Sequence, residues 1–243
     1  MLPLWNQIKA AGDGALSLEF GQGLDPWINR SVHAVARAIR RAHIDGVRGV
    51  VPAYTTLLVE FNPLVISGED LANGLKTMEV VMEEVTARCF TIPTLYGGEY
   101  GLDLEEIAKR LAVSPDSVIA AHTATRYQIY CVGFSPGFPL CGILPEGLRL
   151  PRRSTPRTVV PAGSVAIAGA QTGVYPTASP GGWNILGRTP ASLFHVHRDP
   201  PIRYEPGDYL QFRAIGSSEY EELLHAAGEG YDVVIEGVPN VTD

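Results

Sequence analysis

Arg149, Arg152, Arg153 and Arg157 fall within nine positions of a proline-bounded stretch, the run from Leu150 reading LPRRSTPR, and no lysine follows Lys109. Arginine without lysine suits recognition of an anion by shape. The planar guanidinium matches carboxylate or phosphate with paired donors, and flanking prolines hold the turn with little entropy to lose. A solvated charged turn is the alternative reading of the same residues. Around this turn lie runs dense in glycine and proline: GFSPGFP from Gly133, VPAGSVAIAGAQTGVYP from Val160 and SPGGWNILGRTP from Ser179. Glycine permits close backbone approach. Phe134, Pro136, Gly137, Phe138, Tyr175 and Trp183 are therefore expected to wall a recess beside the arginines.

Other chemistry is thinner. His122 reads either as a general acid or base near neutral pH or as a histidine capping the end of a helix. His195 and His197 are two apart, which would put both on one strand face, but no third metal ligand is in sight and a surface pair is expected. The chain carries no G-x-x-x-x-G-K-[ST] loop, no G-x-S-x-G elbow and no His-Glu-x-x-His pair. It reads as half of a site that a neighbouring polypeptide completes.

The chain has 243 residues, 45% apolar, and its 19 Lys+Arg against 26 Asp+Glu leave a formal charge of −7. At about 150 residues per domain, that is one large domain or two small ones. The acidic balance argues against nucleic acid or an anionic membrane as partner. Residues 104–121 resemble a helix-turn-helix, but the second helix would offer Pro115, Asp116, Ser117, Val118 and Ile119, with no basic group for a base edge. Cys89, Cys131 and Cys141 form no Cys-x-x-Cys pair and read as buried free thiols. No basic run followed by an apolar stretch opens the chain, and nothing approaches the ~18 apolar residues of a membrane span. A soluble cytoplasmic protein is expected.

The elements that must carry these residues change character along the chain. Residues 1–97 alternate strands and helices. Leu16, Leu18 and Phe20 mark a strand, and Asp25-Pro26 starts a helix. Strands are expected at Val47–Val51 and Thr55–Phe61, a second helix from Ser67 to about Ala87, and a strand at Cys89–Tyr96. The order β-α-β-β-α-β is that of a ferredoxin-like α+β domain. Residues 98–125 read as a helical connector with a capping box at Asp103–Glu106, and residues 126–243 as a mainly β barrel or sandwich. That last part includes strands at Ser164–Ala168, Leu193–Val196, Tyr209–Ala214 and Tyr231–Glu236 and a helix from about Ser217 to Ala227.

The four loop motifs, in order, resemble the B-subunit family of 5-oxoprolinases, also labelled allophanate hydrolase subunit 1 and related to KipI-type inhibitors of a sensor histidine kinase. GDGAL from Gly12, VPAY from Val51, IPTLYGGE from Ile92, and His122 with Tyr127 extend the likeness over nearly the whole chain. Cys141 departs from the pattern, where an aliphatic residue or glycine is expected. The resemblance implies a cyclophilin-like β-barrel at 126–243. It also implies partner subunits A and C, which together with this chain open 5-oxoproline to glutamate with ATP, Mg acting at the level of the complex and no cofactor belonging to this chain alone. Opening a lactam with ATP develops negative charge on a small anionic substrate, so fixed donors are the main resource. On that implication Arg152, Arg153 and Arg157 bind the anion, Gln171 and Thr172 hydrogen-bond substrate oxygens from a glycine-flanked loop, and His122 is the acid or base.

Overall fold

The computed structural model describes residues 4–83 and 86–228, and the backbone of 235–237. The chain divides into two compact units, Met1–Val85 and Thr86–Asp243. The first contains strands β1 (Gln7–Ala10) and β2 (Ala15–Glu19), helix α1 (Pro26–Ala42), strands β3 (Val47–Pro52) and β4 (Thr56–Phe61), and helix α2 (Gly68–Thr77). Alternation decides which sheet face is buried. Leu16 and Leu18 on β2, with Leu57, Val59 and Phe61 on β4, pack under Val32, Val35, Ala36 and Ile39 of α1 and Leu71 and Leu75 of α2. Asp25 caps α1 by accepting from the backbone N–H groups of Trp27 and Ile28 at 2.8 and 3.0 Å. Asp25→Ala is expected to cost about 1 kcal/mol in the first unit, read as a lower denaturant midpoint at unchanged slope. An unchanged midpoint would mean that Pro26 alone sets the helix start.

The sheet order is β1-β2-β4-β3, all antiparallel. The split β-α-β expected from the sequence is present, with β4 between β2 and β3. The strand expected to complete it, Cys89–Tyr96, is not in this sheet. The edge beside β2 is filled from the other direction by β1, a short strand that the alternation did not reveal because its residues are mostly exposed. The second helix also stops ten residues early, at Thr77. Residues 78–83 beyond it have no regular secondary structure, and Glu83 reaches Arg41 on α1 at 2.6 and 2.8 Å, which depresses the Glu83 carboxyl chiefly through the hydrogen bond to that guanidinium.

The second unit starts with β5 (Cys89–Tyr96), followed by α3 (Leu104–Leu111), α4 (Pro115–Thr123), β6 (Arg126–Val132) and β7 (Pro139–Gly142). Next come β8 (Arg157–Val160), β9 (Ser164–Ala168), β10 (Gln171–Val174), β11 (Ser179–Gly181), β12 (Asn184–Arg188), β13 (Tyr209–Ala214), α5 (Ser217–Gly228) and β14 (Ile235–Gly237). Seven strands close a barrel in the order β12-β9-β10-β7-β6-β13-β5, with β5 returning to β12 through Gly187–Tyr96 and Arg188–Leu95 pairs. Closure needs glycine at 187, where a Cβ would sit 2.5 Å from the Leu95 carbonyl oxygen. β5 runs parallel to β13 over six residue pairs, and that ladder draws it out of the first unit. Helices α3 and α4 are not a free connector: Leu104, Ile107, Ala108 and Val118 join the barrel core with Tyr127, Ile129, Val165, Ile167 and Leu210. Residues 193–196, expected as a strand, form loop and turn, and residues 231–234 of the expected last strand lie outside the described residues.

Candidate functional site

β8 and β11 form a separate two-stranded flap on the barrel. Side chains alternate across β9 and β12, so Val165, Ile167 and Leu186 fill the barrel interior while Ala166, Ala168 and Ile185 face out. On that outer face, with Val160 of the flap, pack Phe138, Tyr175 and Trp183. Phe138 meets Tyr175 and Trp183 edge-on, with ring centroids 5.0 and 5.7 Å away. The expected recess wall is thus a second small core, with these three rings buried. Gly137 is buried as well, Pro136 is exposed, and Phe134 stands out at 72% exposure.

The arginine turn is fastened to the flap's base. Arg153 donates its backbone N–H to the Gly182 carbonyl at 2.8 Å, and the Asn184 side-chain amide donates to the Pro151 carbonyl at 3.0 Å. Two of the expected anion-binding residues already hold an internal anion. Asp103 is 2% exposed. Arg157 grips it with Nη1–Oδ2 at 2.9 Å and Nη2–Oδ1 at 2.7 Å, Arg153 with Nη1–Oδ1 at 2.6 Å, and the Ile185 backbone N–H donates to Oδ2 at 2.7 Å. Asp103 does not serve as the helix cap its position suggested; its carboxylate makes no capping bond on α3. A single carboxylate paired with two guanidiniums leaves Arg153 Nε without a partner and an excess positive charge that Glu106, 3.7 Å from Arg153, offsets only from the surface. Arg149 is also engaged, donating to the Leu144 carbonyl at 3.0 Å. Arg152 is exposed and makes no hydrogen bond or ion pair among the described residues. Its charge is felt at Tyr175. Burial pushes the Tyr175 hydroxyl up, while a backbone hydrogen bond with Trp183 and the charges of Arg152 and Arg157 oppose the shift.

His122 lies elsewhere, in the barrel core at 0% exposure. Its ring stacks on Phe212 with centroids 4.5 Å apart. Nδ1 is 2.7 Å from the Tyr96 hydroxyl, and Nε2 is 2.9 Å from Thr172 Oγ1, which donates onward to the Ala166 carbonyl at 3.2 Å. That last bond assigns the tautomer: Nε2–H donates to Thr172, and Nδ1 accepts from Tyr96. Burial drives the imidazole down to about 3, so it is neutral and fully hydrogen-bonded rather than poised beside a substrate. Thr172 is spent on the same chain of bonds. Gln171 and Thr172 are consecutive on β10, not on a loop, and their side chains leave opposite faces. The structure therefore does not bring His122, Gln171, Thr172 and the arginines to one surface. Sequence reasoning missed Asp103 and Tyr96. The first carried a signal, since clustered arginines anchored in a fold require a counter-charge.

Residues 6–204 match the family described as Carboxyltransferase domain, subdomain C and D. The B subunit of 5-oxoprolinase from Bacillus subtilis (strain 168) is 39% identical over 228 residues, spanning 88% of this chain and 95% of that protein. The crystal structure of TTHA0988 superposes with a TM-score of 0.76 at 40% identity, covering 84% of this chain but only 40% of that longer one. The urea carboxylase of Kluyveromyces lactis shares the fold at 18% identity, with a TM-score of 0.77 over 95% of this chain and 23% of that one. With a family match over most of its length and a relative aligned almost end to end, the chain belongs to the B-subunit family of 5-oxoprolinases, within the carboxyltransferase subdomain C and D family.

Proposed function

We propose that this chain is the B subunit of an ATP-dependent 5-oxoprolinase, opening 5-oxo-L-proline to L-glutamate together with subunits A and C in the cytoplasm. The observation that carries this reading is the identity to the Bacillus subtilis protein across 95% of its length. The closed, mainly antiparallel barrel supports the cyclophilin-like description of the second unit. Neither a KipI-type kinase inhibitor nor allophanate hydrolase subunit 1 is favoured by the names of the relatives.

Within this chain the anion contact falls to Arg152, the member of the turn that makes no hydrogen bond or ion pair among the described residues, with the clamped Arg153 and Arg157 supplying charge behind it. The substrate class is a small carboxylate. ATP with its Mg is placed at the level of the complex, on the likeness to the B subunits of 5-oxoprolinase.

The test is reconstitution. The purified chain alone should show no 5-oxoproline-dependent ATP hydrolysis, and activity should appear on adding subunits A and C. A charged hydrogen bond is worth about 1.5–3 kcal/mol, so Arg152→Ala should raise KM for 5-oxoproline roughly 10- to 100-fold in the complex. An unchanged KM would remove Arg152 from the site, and full activity of the lone chain would remove the shared-site reading.

A further inference from the structure

The sheet of the first unit is guarded at one edge and open at the other. At β3, Pro52 has no N–H to offer, and Arg40 donates to the Val50 carbonyl at 2.7 Å. At β1, the Ala11 N–H donates to the Ala15 carbonyl at 2.9 Å, which sets the alternation of the ladder with β2. That alternation turns the N–H and C=O groups of Ile8 and Ala10 out to the open edge. Beside this edge lies a groove of about 560 Å³, a size within the ~300–1,000 Å³ of ligand sites. Trp5, Ile8, Leu16 and Phe61 line it from the strand side and Ala72 from α2. Its charges are segregated. Gly68 opens α2 beside Leu16, where a Cβ would lie 3.9 Å from Leu16 Cδ2, and Leu16 pairs with Ala10 next to the hairpin turn. Glu69 and Asp13 therefore line the groove at its hairpin end. Lys76, two helical turns beyond Glu69, lines it about 10 Å farther along α2. Asp13 and Glu69 make no hydrogen bond or ion pair among the described residues, and Lys76 makes one bond, to Asn73 Oδ1 at 3.3 Å.

We propose that this groove binds a short apolar peptide with free ends, about three residues long, as an added strand antiparallel to β1. The main chain of an extended peptide satisfies the outward groups of Ile8 and Ala10, and its alternate side chains enter the apolar groove. Charge complementarity fixes both length and direction. The peptide's ammonium meets Asp13 and Glu69, and its carboxylate meets Lys76. Three extended residues span about 10 Å, the spacing of those charges along α2. β1 runs from Gln7 to Ala10, toward the acidic end. A peptide that starts at the acidic end and finishes at Lys76 is therefore antiparallel to it, the more stable pairing. The site lies within the first unit and does not rest on the reaction proposed above.

The experiment titrates the nitrogen-15-labelled full chain with the tripeptide Leu-Leu-Leu, beside the same peptide acetylated and amidated at its ends and beside leucine alone. The free tripeptide should shift the amide signals of Ile8, Ala10 and Lys76 together, and capping both ends should weaken it about tenfold. Lys76→Gln should weaken the free tripeptide about threefold and leave its C-terminal amide unaffected, a selectivity that general damage to the fold does not produce. Ala10→Pro removes an outward N–H and no ladder bond, so it should abolish binding with the melting temperature little changed. Ala72→Phe, which fills the groove from the helix side, should abolish binding too and serves if the proline variant does not fold. Absence of shifts at these amides with millimolar tripeptide overturns the proposal. Equal affinity of the capped peptide, or of leucine alone, overturns it as well, since the first removes the free ends and the second the added strand. If the same amides shift with protein concentration alone, a second copy takes the edge and the proposal falls.

Discussion

Asp103→Asn is expected to destabilise the second unit by about 3–5 kcal/mol, the cost of removing one partner from a buried ion cluster. Asp103 is 2% exposed and pairs with Arg157 at 2.7 Å and with Arg153 at 2.6 Å. The side chains of Arg153 and Arg157 are 29% and 21% exposed, so without the carboxylate their charges stay largely desolvated and repel each other. One of the two oxygens becomes an NH2 donor, so either the Oδ1 bonds to the two guanidiniums or the Oδ2 bonds to Arg157 and the Ile185 N–H lose their acceptor. Two controls separate charge pairing from general damage. Glu106, at 3.7 Å from Arg153 and 59% exposed, is a surface partner, so Glu106→Gln should cost no more than about 1 kcal/mol. The triple variant Asp103→Leu, Arg153→Met, Arg157→Met should recover much of the loss, because an apolar replacement removes the desolvation cost along with the attraction. Chemical denaturation reads all three. A loss below about 1 kcal/mol in Asp103→Asn would show that the cluster does not hold the turn to the flap.

The second large effect is loss of stability in acid through His122. Its folded value is about 3 against an ordinary 6.5, lowered by burial. Between those limits the unfolded chain binds a proton that the folded chain does not. Stability therefore rises with pH through this window, is complete above about 6.5, and falls by about 1.4 kcal/mol for each pH unit below it. At pH 4.5 the expected contribution is a loss of about 2.7 kcal/mol. His122→Gln cannot titrate, so the difference between its pH profile and that of wild type isolates the effect from the carboxylates. Nitrogen-15 spectra should show a neutral ring with the proton on Nε2. A ring that gains a proton near pH 6.5 in the folded protein would contradict the burial and reopen the acid–base role.

Much of the fold was legible because it rests on local pattern. The Asp25-Pro26 start, the alternating Leu16 and Leu18, and the helix at 217–228 announce themselves in neighbouring residues. The failures share a cause. Cys89–Tyr96 has strand character whichever sheet receives it, and its place was decided by Tyr209–Ala214, more than a hundred residues later. The run after Thr77 keeps helical spacing in sequence, yet residues 78–83 are not helical and Glu83 there pairs with Arg41 on α1. The site failed in the same way. Gln171 and Thr172 are adjacent in sequence but leave opposite faces of a strand, while Asp103 and Arg157 are remote and touch.

The sequence by itself determined the family, the existence of two parts, and the concentration of arginines and stiff loops in the second. Those follow from residue type and order. Only the tertiary structure decided which of these groups retain unspent donors. A guanidinium or an imidazole has the same chemistry wherever it stands, but whether it binds a guest depends on whether a neighbour distant in the chain has already satisfied it. Here Asp103 has engaged Arg153 and Arg157, and Tyr96 and Thr172 have satisfied His122. Arg152 and Phe134 are among the groups of these loops that the fold leaves exposed.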